Sequence, residues 1–171
     1  MAVQQGGADG LCGLYALLNW LRTTPVYEDE DHERILWYLL EAARQHGWLD
    51  PHTLTCGFED FQLKAIVDWQ IENHRLPFQS AFLRDVKVSM GVTSVAEFLR
   101  RLVAAGGVAV VSSQRRNHWL LVRTNSDGPS IYDSANPDQP VKPLPTNSRS
   151  FSPDWGIVIL PHKRPPVKVE L

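Results

Sequence analysis

The hydrophobic pattern of this 171-residue chain changes period at Gly106-Gly107, and that change limits the folds open to it. Before the glycines, apolar residues recur every three or four positions. After them, they come in short runs rich in β-branched and aromatic residues. Leu14, Tyr15, Leu17, Leu18 and Leu21 predict a helix over about 11–22, with Pro25 beyond its end. Ile35, Leu36, Leu39, Leu40 and Ala43 predict a second over about 31–46, stopped by Gly47, whose acidic approach, Glu28 to Glu33, is expected to face water. A weaker helical pattern covers about 59–73. The clearest helix follows Ser94, which has capping-box spacing to Glu97 ahead of Phe98, Leu99, Leu102 and Val103.

Beyond Gly107 the segments Val108–Ser113, Trp119–Thr124, Ser130–Asp133 and Trp155–Leu160 read as strands, with the first three expected to form antiparallel hairpins. Helices first and strands second predict an α+β domain with the two kinds of element segregated. One domain is expected over 1–161, with an irregular Pro137–Pro145 stretch, followed by a Pro- and Lys-containing tail over 162–171.

Composition excludes several function classes. Hydrophobic residues make up 43% of the chain and six are Trp, which suits a folded domain rather than a disordered one. A net charge of −2 lacks the broad basic footprint of a nucleic-acid partner. The longest apolar runs are strand-sized, so no membrane insertion is expected. The first ten residues lack the basic start and apolar stretch of a secretory signal. The two cysteines, Cys12 and Cys56, sit in neither a CxxC nor a Cys/His ligand spacing. No metal or other cofactor is expected.

Chemistry concentrates on four residues. Cys12 falls in the first turn of the first helix, where the positive end of the helix dipole favours a negative sulfur, and Gly10 and Gly13 leave room for a substrate to approach. A buried, unreactive thiol is the plainer alternative. His118 is polar where an apolar strand begins, while His32, His46, His52, His74 and His162 lie at helix ends, in loops or in the tail and are expected to be solvated. Fifteen residues on, Asp133 ends the next strand, where a carboxylate can accept the imidazole N–H and favour the cation that pairs with a thiolate. An oxyanion donor is expected from the Cys12 backbone N–H and from Gln5, with Gln4 as the alternative. Cys56 is expected to be structural. Arg115-Arg116 is expected to be a solvated turn, with a place beside the cleft that attracts an acidic substrate as the alternative, and Trp119 to shield the His118–Asp133 hydrogen bond from water or to pack in the core.

Gln5, the segment Asp9-Gly10-Leu11-Cys12-Gly13-Leu14, Asn117-His118-Trp119 and Tyr132-Asp133-Ser134 together resemble the papain-like cysteine peptidases. The resemblance is to their compact members, among them the double-glycine leader peptidase domains of bacteriocin exporters and the Josephin deubiquitinases. The order Cys, His, Asp separates the chain from the SUMO-protease group, in which Cys comes last. The resemblance implies a helix bearing Cys12 packed against a sheet bearing His118 and Asp133. It implies Cys12 as nucleophile, His118 as general base and acid, Asp133 as the orienting residue and Gln5 as oxyanion donor. The Gln-to-Cys spacing is one residue longer than papain's, and the disulfides of the secreted papain enzymes are missing, which points to a cytoplasmic working compartment.

The expected function is hydrolysis of a peptide bond in a protein substrate, by the resemblance after small residues such as Gly-Gly. A glutamine deamidase or transglutaminase-like effector, a deubiquitinase-like peptidase and a catalytically silent protein-binding module are the alternatives. With eleven residues ahead of Cys12, control is expected from a separate inhibitor or immunity protein, or from use as a toxin domain delivered into a target cell.

Overall fold

The structure is a computed structural model that describes residues 10–113, 118–133, 142–145 and 150–162. Among these residues six α-helices and six strands succeed one another as α1 Cys12–Leu21, α2 His32–Gln45, α3 Pro51–Cys56, α4 Asp60–Asn73, β1 Phe78–Phe82, α5 Leu83–Ser89, α6 Val95–Ala104, β2 Val108–Ser113, β3 His118–Asn125, β4 Gly128–Tyr132, β5 Lys142–Pro143 and β6 Phe151–Pro161. The strands form one antiparallel sheet in the order β1-β6-β2-β3-β4-β5.

The fold is α+β, but the two kinds of element are less segregated than the period change suggests. β1 comes from the helical half and occupies a sheet edge, pairing with β6 from Phe78 opposite Pro161 to Phe82 opposite Ile157. The helices also divide between the two faces of the sheet. On one side Val110, Trp119, Leu121, Tyr132 and Ile157 pack with Leu14, Leu17 and Leu18 of α1, Ile35 and Leu39 of α2, and Leu63 and Ile66 of α4. On the other, Ala109, Val111, Leu120, Val122 and Val158 pack with Leu83 of α5 and Phe98, Leu99 and Leu102 of α6. Successive strand side chains point to opposite faces, so a strand covered on both sides reads as an unbroken apolar run. Val108–Val111 is such a run.

Local rules set the helix starts. Asp31 caps α2 by accepting the Arg34 N–H at 2.7 Å, and Asp50 caps α3 through the N–H groups of His52 and Thr53, with Pro51 in the first turn. At α4 the Gln62 side chain accepts the Glu59 N–H at 2.8 Å, completing a capping box. The Ser94–Glu97 pattern is realised in part: Ser94 accepts the Glu97 N–H, while the Glu97 carboxylate turns to Arg101. The weak helical pattern of α4 has a cause, since two of its buried residues are polar. Gln70 accepts from the Tyr27 hydroxyl at 3.0 Å and donates to the Tyr38 carbonyl.

One expectation about an individual residue is corrected. His74 is half-buried rather than solvated, packed among Tyr27, Tyr38 and Trp69, where burial lowers its pKa. His46 is exposed, as expected, and stacks on Trp48 at 4.5 Å between ring centres. His162 is exposed too and gives its N–H to the Pro77 carbonyl. No helix among the described residues is long and apolar enough to cross a membrane.

Candidate functional site

Cys12 opens α1 and is buried, with Leu11 before it as a cap residue that offers no side-chain acceptor. The first-turn N–H groups of α1 therefore point out of the helix start without intrahelical partners. The approach to the cysteine is held against α3. Gly10 donates its N–H to the Leu54 carbonyl at 2.7 Å, and a Cβ on Gly10 would stand 2.6 Å from the Gly57 nitrogen and 2.8 Å from the Leu54 oxygen. Only glycine permits that approach. A Cβ on Gly13, the residue after the cysteine, would lie 2.7 Å from Leu63 and 3.3 Å from the Trp119 ring, which shows how closely α1 is seated on α4 and β3.

β3 and β4 supply the other two residues. Leu121 pairs with Tyr132, which puts Asp133, one position past β4, a diagonal step from His118 at the start of β3. The His118 Nε2 and Asp133 Oδ1 atoms are 2.7 Å apart, with 13% of the His118 side chain and 28% of the Asp133 side chain exposed. The Cys12 thiol is the second hydrogen-bond partner of the ring. With Nε2 committed to Asp133, Nδ1 is the nitrogen left for the sulfur. The Asp133 carboxylate first, and Cys12 second, raise the His118 pKa from 6.5 to about 9, against a smaller downward push from burial. At neutral pH the ring therefore favours its cationic form, with Asp133 on one side and Cys12 on the other.

Trp119 locks this arrangement to the helical layer. Its indole Nε1 donates to the Phe58 carbonyl at 2.8 Å in a buried hydrogen bond. The structure thus brings together Cys12, His118 and Asp133. Gln5 and Gln4 lie outside the described residues, as does Arg115-Arg116.

Cys56 departs from expectation. It is an exposed free thiol rather than a packed one, and with Phe58, Glu59, Ser112, Trp119 and Trp155 it lines a small cleft. Sequence reasoning missed this cleft because its far wall is made by an irregularity in pairing. Val111 opposes Gly156 and Ser113 opposes Phe151, so Ser112 alone faces the four residues 152–155. These rise as a bulge that carries Trp155 over the cleft. Lys87 of α5 holds the bulge, donating to the Pro153 carbonyl at 2.7 Å with the Asp154 carboxylate 3.5 Å away. The one sequence signal was the Ser-Pro-Asp stretch inside an otherwise apolar strand.

Among the described residues no group of three or more His, Cys, Asp or Glu could hold a metal ion. Fold and site together define a mixed α+β protein whose helix-start cysteine, histidine and aspartate stand in hydrogen-bonded series. No family model, curated protein or solved structure matches the chain.

Proposed function

We propose that the protein is a cysteine peptidase of papain-like architecture, cleaving a peptide bond in a protein substrate through Cys12, His118 and Asp133. The observation that carries this reading is the series itself: a thiol at a helix start, hydrogen-bonded to a histidine whose far nitrogen meets a carboxylate at 2.7 Å. An imidazolium fixed beside a thiol favours its anionic, nucleophilic form, and a helix start adds to that preference.

The sulfur attacks the substrate carbonyl carbon, and the oxyanion that forms is met by the N–H groups at the start of α1. His118 gives its proton to the leaving amine as the C–N bond breaks, leaving a thioester on Cys12. Water then attacks the thioester carbonyl while His118 takes its proton. The acid leaves and the proton returns to the Cys12–His118 pair. Asp133 keeps the imidazole ring oriented throughout and favours its cationic form.

Alkylation by iodoacetamide at about pH 6, with mass spectrometry of the two cysteine peptides, tests the reading. An ordinary thiol, with a pKa of about 8.5, reacts slowly there. Cys12, although buried, is expected to label at least about tenfold faster than exposed Cys56, and His118→Ala is expected to remove the difference. Equal or slower labelling of Cys12 in the unaltered protein would overturn the nucleophile.

A further inference from the structure

We propose that β1, an edge strand of the sheet, pairs with β1 of a second copy of this chain, antiparallel about a two-fold axis at Ser80. The pairing joins the two sheets edge to edge and is independent of the peptidase reading.

The backbone is the first argument. Among the described residues β1 pairs with β6 alone, and the His162 N–H meets the Pro77 carbonyl at 2.9 Å. Bonding groups alternate sides along an antiparallel strand, so those of Gln79 and Ala81 also face β6, while those of Phe78, Ser80 and Phe82 face away from the sheet. Two of these outward groups are used within the chain. The Phe78 N–H donates to the Leu76 carbonyl at 2.8 Å, and the Phe82 carbonyl, at the N-cap of α5, takes the first bond of that helix. The Phe78 carbonyl, both groups of Ser80 and the Phe82 N–H have no partner among the described residues. An antiparallel copy centred on Ser80 uses these groups and no others. Ser80 exchanges two bonds with the Ser80 of the second copy, and each Phe82 N–H meets the Phe78 carbonyl opposite. A centre at any other residue of β1 calls on the Phe78 N–H or the Phe82 carbonyl, which are already engaged.

Side chains are the second argument. Phe78-Gln79-Ser80-Ala81-Phe82 carries no charge, proline or bulge, the devices that keep sheet edges apart, and none of the five residues is buried. The strand reads nearly alike in both directions, so the two-fold sets Phe78 against the Phe82 of the second copy, twice, as aromatic cross-strand pairs. Charge on α4 agrees. Asp68 bonds the Ser80 hydroxyl and Lys64 lies 5.8 Å from the Phe82 ring, so a turn of α4 keeps step with two residues of β1. Glu72, one turn beyond Asp68, is then level with Phe78, and reversal about Ser80 brings Lys64 to the level of the Glu72 of the second copy. Asp68 meets its own copy near the axis with its charge already held by Lys64 at 2.7 Å. Lys163-Arg164, which follow His162 in the chain, lie outside the described residues, so it is the backbone register that selects the partner.

Sedimentation velocity of the unaltered chain between about 5 and 500 µM reads the association. A monomer giving way to a dimer is expected. A monomer throughout overturns the proposal and leaves the edge to an extended segment of another protein, and open-ended larger assemblies overturn the closed two-fold. Gln79 tests the register. It is exposed, lies on the face of β1 away from α4 with Ala81, and under the two-fold is a diagonal neighbour of its own copy, about 7–8 Å away. Gln79→Lys and Gln79→Glu are each expected to weaken the dimer at least about tenfold, with far-UV circular dichroism unchanged. An equimolar mixture of the two, one of them carrying a fluorophore, is expected to recover association to within about threefold as a mixed dimer. A dimer that neither variant weakens, or a loss that the mixture does not restore, would overturn the pairing at Ser80.

Discussion

His118 holds its proton well past neutrality because two neighbours want it charged, and that preference is also a source of stability. Its pKa is 6.5 when unperturbed and about 9 in the folded protein, so the folded state binds the proton more tightly. The associated stability is present in full below about pH 6.5 and is lost as pH rises through 9. The shift corresponds to about 3 kcal/mol. Urea unfolding at about pH 6 and pH 9.5 is expected to show a loss of that order, greatly reduced in His118→Gln; an equal loss in both proteins would show that other groups carry the dependence. Cys12, His118 and Asp133 were all legible in the sequence, because each is a polar residue placed where an apolar element begins or ends. Glu59, Ser112 and Trp155 were not. A buried serine in one strand and a tryptophan within another carry no mark until the bulge that gathers them is known.

Among the elements, β3 does the most to join the two layers of the site. Its first residue is His118 and its second, Trp119, reaches across to the loop between α3 and α4. Trp119→Phe keeps the ring against Gly13 but leaves the Phe58 carbonyl buried without its donor. The expected cost is about 1–3 kcal/mol, seen as a lower urea midpoint with an unchanged slope. An unchanged midpoint would mean that water replaces the indole. The elements that sequence reading missed share one property, shortness. α3 spans six residues, α5 seven, β1 five and β5 two, too few for a period to declare itself. For α3 the Asp50-Pro51 start was the available signal, and it is a cap rather than a pattern. α1 and α2, whose apolar residues recur over ten and fourteen residues, were read to within two residues of their observed ends, and α6 begins at Val95, directly after the Ser94 cap.

At the scale of the molecule, the sheet is a shared wall between two cores. Trp20 and Trp119 report on the core under α1, while Phe98 belongs to the opposite one under α6. Along β2 the side chains of Ala109, Val110 and Val111 enter the two cores in alternation, so neither core can come apart with the sheet intact. Phe98→Ala is expected to cost about 3–5 kcal/mol. The loss should lower the midpoints of tryptophan fluorescence and far-UV circular dichroism together, since a single cooperative unit gives coincident transitions. A fluorescence transition left in place would separate the cores. The covering of both faces was half legible: Val108–Val111 reads as an unbroken run, but the sequence does not say which helices cross to which side.

The hairpin of β3 and β4 also has two ends with different obligations. His118 and Asp133 stand at its open end, whereas Asn125 and Gly128 close the other across exposed Ser126 and Asp127. Strand pairing through five registered positions separates them, so the turn can drift in length and composition over evolution while the spacing of the acid and the base stays fixed. Related chains would then be recognised by the residues that open β3 and close β4, and only poorly by the turn that joins the two strands.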